Sequence, residues 1–189
     1  MSCAELPPLC PALNFGPELL LKAQGVRVVF LDVDGVLTDG GLYFSEAGET
    51  LKRFSSLDGH GIKLLQRAGI TPAVVSGRDS AALRARLSAL GVTHTRFGTE
   101  DKRPAAESIL AELGMSWPDA AAIGDDWPDL PMLRRAALSA CPPTAHPEVL
   151  ALCDHVTTRQ PGSGAVRELC DLLLVARGVY AGLLEEAAR

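Results

Sequence analysis

Short apolar segments alternate with longer amphipathic segments along most of the chain, and this alternation limits the folds that the chain can adopt. The apolar segments have the length and β-branched content of buried strands, and the segments between them have helical periodicity. Strands are predicted at 26–32, 71–76, 93–97, 119–124 and 136–140, and helices at 59–68, 79–90, 104–113, 128–135 and 164–177. Because a helix after each strand returns the chain for a parallel neighbour, the sequence predicts an α/β fold with a parallel sheet and helices on both faces.

One stretch interrupts this alternation. The residues GGLYFSEAGETLKRF, from Gly40 to Phe54, form two short alternating runs around a Ser-Glu-Ala-Gly turn, which predicts a β-hairpin. Residues 1–13 are rich in proline and cysteine and lead into a short helix through PELLLKAQ, so residues 1–25 are interpreted as an N-terminal extension. Residues 26–189 are predicted to form a single domain, because no long linker divides them.

Composition excludes several classes of function. A net charge of −5 argues against a general nucleic-acid binder. No segment approaches the roughly eighteen uninterrupted apolar residues of a membrane span. The five cysteines are odd in number and scattered, which indicates reduced thiols and a cytoplasmic protein rather than a zinc site or a disulfide framework.

Polar side chains follow the predicted strands at their carboxyl ends. The first strand ends in VRVVFLDVDGVLTDG, where the strand period of two directs Asp32 and Asp34 to the same face. Ligands of open α/β sheets bind beyond the carboxyl ends of the strands, so the residues there are expected to converge. The others are Ser76, Gly77, Arg78, Lys102, Gly124, Asp125 and Asp126.

This set of residues favours a magnesium site. Two carboxylates at the distance of Asp32 and Asp34 repel each other, and a hard cation would relieve that repulsion. Mg²⁺ takes one or two carboxylates and leaves its other positions to water and phosphate oxygens. Asp32 and Asp125 are therefore predicted as metal ligands together with the backbone carbonyl of Asp34, and Asp126 is placed in the outer shell.

The same residues can transfer a phosphoryl group. An ionised Asp32 needs no base to attack phosphorus, which would give an aspartyl-phosphate. Asp34 is predicted to protonate the departing alkoxide and then to take a proton from the hydrolytic water. Lys102, the Ser76 hydroxyl and backbone N–H groups would neutralise the phosphoryl oxygens.

Two further residues follow Ser76 in the predicted phosphate site. Gly77 would let the backbone approach the phosphate closely, because it has no side chain. Arg78 would offer a fork of donors to a carboxylate or phosphate of the substrate.

The core of the chain resembles the haloacid dehalogenase superfamily, whose four motifs it carries in order. These are DVDGV, SGR, Lys102 and GDDWPDL. That resemblance implies a Rossmann-like, haloacid dehalogenase-like fold. The intervals from Asp32 to Ser76 and from Ser76 to Lys102 are too short for a cap domain, so the hairpin is the predicted flap over the site.

Outside these motifs, LKRFSSLDGHGIKLL, AHPEV and GSGAVRELCDLLL resemble one capless family, the 3-deoxy-D-manno-octulosonate 8-phosphate phosphatases. The resemblance implies a Mg²⁺-dependent phosphoric monoester hydrolase that acts on this sugar acid phosphate in lipopolysaccharide biosynthesis. It also implies a homotetramer that is built by the hairpin, with the glycine-rich segment near the C-terminus reaching a neighbour's active site. The chain departs from the family at Pro161-Gly162-Ser163, where a double glycine and a basic residue are common.

Two alternative functions remain open at this point. Related capless enzymes act on 9-phosphates of nine-carbon sialic-type sugar acids, and a domain of this fold can also serve as a non-catalytic tetramerisation module. Three further aspartates are interpreted mainly as structural. Asp39 is read as a turn residue, Asp58 as the N-cap of its helix that also stands near the mouth of the site, and Asp129 as a helix cap that belongs at most to the outer shell of the metal.

Overall fold

A parallel sheet of six strands forms the centre of the structure, a computed structural model that describes residues 9–189. The described strands are β1 (Val28–Leu31), β2 (Tyr43–Ser45), β3 (Gly48–Leu51), β4 (Thr71–Val75), β5 (His94–Arg96), β6 (Ala120–Ile123), β7 (Leu138–Cys141) and β8 (His155–Val156). The described helices are α1 (Pro17–Ala23), α2 (Ser56–Arg67), α3 (Ala81–Leu90), α4 (Lys102–Leu113), α5 (Leu130–Leu133), α6 (Pro147–Leu152), α7 (Ala165–Ala176) and α8 (Tyr180–Ala187). The central sheet has the order β5-β4-β1-β6-β7-β8, and β2 pairs only with β3.

The predicted α/β architecture is confirmed. All five predicted strands are present, and each pairs in parallel with its neighbours in the central sheet. The prediction at 128–135 is wrong in length, because a 3₁₀ turn at Trp127–Asp129 precedes the four-residue helix α5. The sequence analysis missed β8, α6 and α8; the first two are too short for a period to be read.

The core lies in two layers, one on each face of the sheet. Along β1, Val29 and Leu31 pack against helices α2, α3 and α7, whereas Val28 and Phe30 pack against α4, α5 and α6. All four side chains of the strand are fully buried. A strand that is covered on both faces reads as a continuous apolar run, which is why this segment lacks the alternation of a half-exposed strand.

The hairpin of β2 and β3 is also confirmed, and its strands pair antiparallel. It presents large apolar side chains to solvent, namely Leu42, Tyr43, Phe44 and Leu51.

Between Asp32 and Ser76 the chain forms only this hairpin, α2 and β4, and between Ser76 and Lys102 it forms α3 and β5. Neither interval contains a cap domain.

The predicted N-terminal extension lies partly outside the described residues, since residues 1–8 of the proposed lead-in are not described. The helix predicted in it is present as α1, and Leu19, Leu20 and Ala23 pack against the core layer that contains α7. Within residues 9–189, no helix combines the length and the apolar character that a membrane crossing needs.

The interpretation of Asp58 as the cap of its own helix is wrong. Ser55 caps α2, with its hydroxyl accepting from the backbone N–H of Leu57 (3.2 Å). The buried carboxylate of Asp58 instead accepts from the backbone N–H groups of Arg167 (2.8 Å) and Gly164 (3.4 Å) at the start of α7. A single acidic side chain therefore joins the two helices, because it satisfies donors that α7 cannot satisfy itself.

The glycine-rich segment before α7 packs against its own chain. Pro161 and Gly162 are buried, and the N–H of Gly162 donates to the carbonyl of Val36 (3.0 Å). Gly162 has a φ of +60°, and a Cβ there would lie 2.7 Å from the backbone of Thr38. Arg53 donates to the Gly162 carbonyl (3.1 Å). The contact of this segment with a neighbour's site stays a prediction.

Replacing Asp58 tests the link between α2 and α7. Asp58→Ala leaves the N–H groups of Gly164 and Arg167 without their acceptor, so the free energy of unfolding is expected to fall by about 1–3 kcal/mol. Burial raises the pKa of Asp58, and the neutral amide of Asp58→Asn keeps one acceptor oxygen for the shorter bond from Arg167, so this variant should cost less. Urea unfolding measures both; equal losses in the two variants would contradict this role.

Candidate active site

The predicted site residues meet at one edge of the central sheet. The loops that follow β1, β4 and β6 surround an open cavity of about 480 Å³. Eight of the nine residues expected to converge line it, all but Gly124: Asp32, Asp34, Ser76, Gly77, Arg78, Lys102, Asp125 and Asp126. The cavity is also lined by Glu100, Pro128 and Asp129, of which the sequence analysis considered only Asp129, for the outer shell at most.

Three carboxylates form the floor of this cavity. Each of Asp32, Asp125 and Asp129 offers an oxygen, and these oxygens lie within 4.8 Å of one another. Burial raises the pKa of Asp32 well above its usual range, and the charge of Asp129 raises it further. The same two causes raise the pKa of Asp125 to about 7. Hard oxygen donors that repel one another at this spacing fit a divalent cation such as Mg²⁺.

The close approach of Asp125 depends on a glycine in the loop after β1. Gly35 has a φ of +91°, and a Cβ there would lie 2.2 Å from Oδ2 of Asp125. Any side chain would therefore displace this carboxylate from the floor of the cavity. The glycine of DVDGV is thus required both by the turn and by the neighbouring strand end.

Lys102 pairs with two of the three carboxylates on the floor of the cavity. Its Nζ, 4% exposed, donates to Oδ1 of Asp32 (2.5 Å) and to Oδ1 of Asp129 (2.7 Å). Burial lowers the pKa of Lys102, but the two carboxylates together raise it by more, so that its net shift is upward. The lysine therefore stays charged between the two acids.

Asp129 holds both Lys102 and the loop that carries Asp125. Its second carboxylate oxygen accepts from the backbone N–H groups of Asp125 (3.0 Å) and Asp126 (3.3 Å). Asp129 was predicted to cap the helix that starts near it, but its side chain makes no capping bond to α5; it instead completes a capping box on the 3₁₀ turn, whose N-cap is Asp126. The sequence analysis missed the contact of Asp129 with Lys102. Asp126 is exposed, and its carboxylate accepts from the N–H of Trp127 (2.8 Å).

The loop after β4 contributes the polar wall. The hydroxyl of Ser76 accepts from the backbone N–H of Arg78 (3.2 Å), which fixes the turn. The guanidinium of Arg78 lies 3.9 Å from Oδ2 of Asp34. A Cβ on Gly77 would meet only ordinary van der Waals contact, so the structure shows no steric requirement for glycine there.

Sequence reasoning missed two hairpin residues next to the site, Lys52 and Glu49. The Nζ of Lys52 donates to Oδ1 of Asp34 (2.5 Å), although Asp34 and Lys52 are far apart in sequence. Lys52 directly follows β3, and burial along that strand does not alternate, so no pattern in the sequence marks this lysine as buried.

The fold and the site together define the class of the protein: a hydrolase of the haloacid dehalogenase type, with an aspartate pair after β1, a lysine at the start of α4 and acidic residues after β6. A family model described as haloacid dehalogenase-like hydrolase matches residues 98–169.

Known proteins define the family more closely. The 3-deoxy-D-manno-octulosonate 8-phosphate phosphatase KdsC of Escherichia coli K12 is 39% identical over 170 residues, which cover 88% of this chain and 90% of that protein. The chain belongs to the family of 3-deoxy-D-manno-octulosonate 8-phosphate phosphatases.

Two crystal structures of similar proteins agree with this assignment. That of the phosphatase of this name from Yersinia pestis has a TM-score of 0.86 and 38% identity, and the match covers 88% of this chain and 90% of that one. The Moraxella catarrhalis phosphatase, solved in complex with magnesium, phosphate and KDO, has a TM-score of 0.86 and 35% identity, with coverages of 88% and 96%. The resemblance in the motifs therefore extends over most of the fold.

Removing one carboxylate of the floor should stabilise the metal-free protein. Because its pKa rises from 3.8 to about 7 on folding, Asp125 opposes folding fully above pH 7, and the penalty is relieved progressively as the pH falls from 7 toward 3.8. Asp125→Asn is therefore expected to raise the free energy of unfolding in EDTA at pH 8 by about 1–3 kcal/mol, and by less at pH 5.5. Denaturant unfolding at both pH values measures this.

The control for this experiment is Asp126→Asn, which removes a carboxylate that is exposed and keeps an acceptor for the N–H of Trp127. It should leave stability nearly unchanged at both pH values. A stabilisation by Asp125→Asn that did not depend on pH would show that charge repulsion is not its cause.

Proposed function

We propose that this protein hydrolyses 3-deoxy-D-manno-octulosonate 8-phosphate to the free sugar acid and phosphate, a cytoplasmic step in lipopolysaccharide biosynthesis. The observation that carries the proposal is the convergence of Asp32, Asp34 and Lys102 in one cavity of a chain from this family. Each would have a distinct task in phosphoryl transfer, and all three stand on the loops or helix ends that the fold directs to this edge.

Magnesium fits the donor set on the floor of the cavity. Asp32 and Asp125 would hold it, the carbonyl of Asp34 would be a third ligand, and Asp129 offers a further oxygen that Lys102 already partly neutralises. Bound Mg²⁺ would offset the charge of the carboxylates and of the substrate phosphate. The similar Moraxella catarrhalis protein was crystallised with this ion.

The residues divide the reaction among them. The Asp32 carboxylate attacks phosphorus and the bond to the sugar oxygen breaks, while Asp34 gives that oxygen a proton. Asp34 then accepts a proton from the water that cleaves the aspartyl-phosphate and so returns to its starting state. Lys102 orients Asp32 and neutralises the phosphoryl oxygens, and Ser76 with its neighbouring N–H groups binds them.

The sugar acid substrate also carries a carboxylate, and Arg78 is proposed to bind it. The guanidinium lies on the rim of the cavity with its side chain about half exposed, so its donors can reach a ligand there.

The nine-carbon sugar acid phosphates are not favoured, because the similar proteins reported above are named for the eight-carbon substrate. A non-catalytic module would have no use for the complete set of Asp32, Asp34, Lys102 and Asp125.

Assembly into a homotetramer is part of the proposal. The hairpin pairs with no other strand of the described chain, and its exposed apolar side chains form a surface that water solvates poorly. A second copy of the hairpin presents the same surface, as a symmetric interface requires. Such an assembly would also bring a neighbour's residues near the open, capless cavity.

Phosphate release tests the proposed activity. Wild-type protein with Mg²⁺ should release phosphate from 3-deoxy-D-manno-octulosonate 8-phosphate with a higher kcat/KM than from a nine-carbon sugar acid 9-phosphate. Asp32→Asn should lower kcat by more than about 1,000-fold, because the amide cannot act as the nucleophile, while circular dichroism and assembly state remain unchanged. A higher kcat/KM on the nine-carbon substrate would overturn the substrate, and near wild-type turnover by Asp32→Asn would overturn the nucleophile.

A charged residue on the hairpin tests the tetramer. Phe44 is 63% exposed, and Phe44→Glu should shift the molecular mass in light scattering from tetramer toward monomer, since burying the carboxylate at an interface is costly. The matched control is Leu21→Glu on α1, because Leu21 is 70% exposed and α1 packs on α7 and β7. Dissociation by both variants, or by neither, would contradict a hairpin interface.

A further inference from the structure

A buried lysine of the hairpin contacts the aspartate that the proposed mechanism uses as acid. The side chain of Lys52 is 1% exposed, and its Nζ donates to Oδ1 of Asp34 (2.5 Å). Oε1 of Glu49 lies 3.0 Å from the same nitrogen without a well-aligned hydrogen bond, so this second contact is mainly electrostatic. A lysine is seldom buried unless its charge is paired, and here two carboxylates pair it.

The same two carboxylates also face Arg78. Its guanidinium lies 3.8 Å from Oε2 of Glu49 and 3.9 Å from Oδ2 of Asp34. Positive and negative groups therefore alternate around a closed ring of four side chains, two from the hairpin and two from the sheet edge. Each charge in the ring has neighbours of opposite sign, which restrains the rotamers of all four.

The ring leaves one oxygen of Asp34 available. Oδ1 is occupied by Lys52, whereas no hydrogen bond from the residues that the structure describes reaches Oδ2. Asp34 lines the cavity, and its side chain is 20% exposed. One anchored oxygen and one free oxygen suit a carboxyl group that must present its proton in a fixed direction.

We propose that Lys52 is a positioning residue for acid catalysis: it fixes the carboxylate of Asp34 so that the free oxygen faces the leaving group of the substrate. This inference rests on the proposed function, and it adds a residue from outside the four motifs. Lys52 does not line the cavity and contacts Asp34 from behind it. Its contribution should therefore appear only where departure of the leaving group needs a well-placed acid.

Leaving groups of different basicity separate this role from a structural one. Lys52→Met keeps the length of the side chain but cannot hold Asp34. In single turnovers, cleavage of 3-deoxy-D-manno-octulosonate 8-phosphate should slow by on the order of 10- to 100-fold, because its alkoxide needs a proton. The burst of nitrophenolate from p-nitrophenyl phosphate should change by no more than about twofold, since that anion leaves unprotonated.

The control is Lys22→Met, which removes another lysine–aspartate pair, with Asp154, away from the cavity. It should leave both rates unchanged. Equal losses on the two substrates in Lys52→Met would overturn the positioning role. Absence of wild-type activity on both substrates would instead reject the proposed function itself.

A double-mutant cycle keeps the test decisive if Lys52→Met folds poorly. In an Asp34→Asn background there is no acid to position, so adding Lys52→Met should not slow the sugar phosphate further. Glu49→Gln offers a milder change that weakens the ring from the other side of Lys52, and it should slow the sugar phosphate selectively but by less. Additive losses in the cycle, or a Glu49→Gln effect of equal size on both substrates, would contradict the inference.

Discussion

The ion pair of Lys102 with Asp32 and Asp129 is the interaction on which the rest of the site depends. Three carboxylates lie within 4.8 Å of one another at the end of a hydrophobic sheet, where burial and mutual repulsion both oppose their charge. The lysine bonds two of them and keeps its own proton because of them. Without it, the strand ends that carry these acids could not approach so closely at neutral pH.

The central sheet brings the residues of the site to one edge. Strand β1 lies between β4 and β6, so the loops after three adjacent strands end at the same edge. Asp32, the turn at Ser76 and the acidic loop at Asp125 thus come from segments that are distant in sequence but are fixed by backbone pairing. A buried sheet supplies rigidity to this arrangement, and the loops supply the chemistry.

The sequence predicted most of this and missed the rest for identifiable reasons. The rule on carboxyl ends placed Asp32, Ser76 and Asp125 together, because all strands of a parallel sheet end at one edge whatever their order, and the order of the motifs placed Lys102 with them. Asp58 was misassigned because its partner, the start of α7, is distant in the chain. Lys52 was missed for the same reason: only the folded hairpin reveals which carboxylate it pairs with.

The hairpin carries two kinds of side chain on neighbouring positions. Leu51 is exposed and available to a second copy of the chain, whereas the next residue, Lys52, is buried against the acidic end of β1. In the tetramer proposed above, a substitution that changes how two hairpins meet would therefore also shift Lys52 and, through it, the carboxylate of Asp34. Dilution that dissociates this proposed assembly would then lower turnover before it unfolds the domain, which makes quaternary state a determinant of turnover in the proposal.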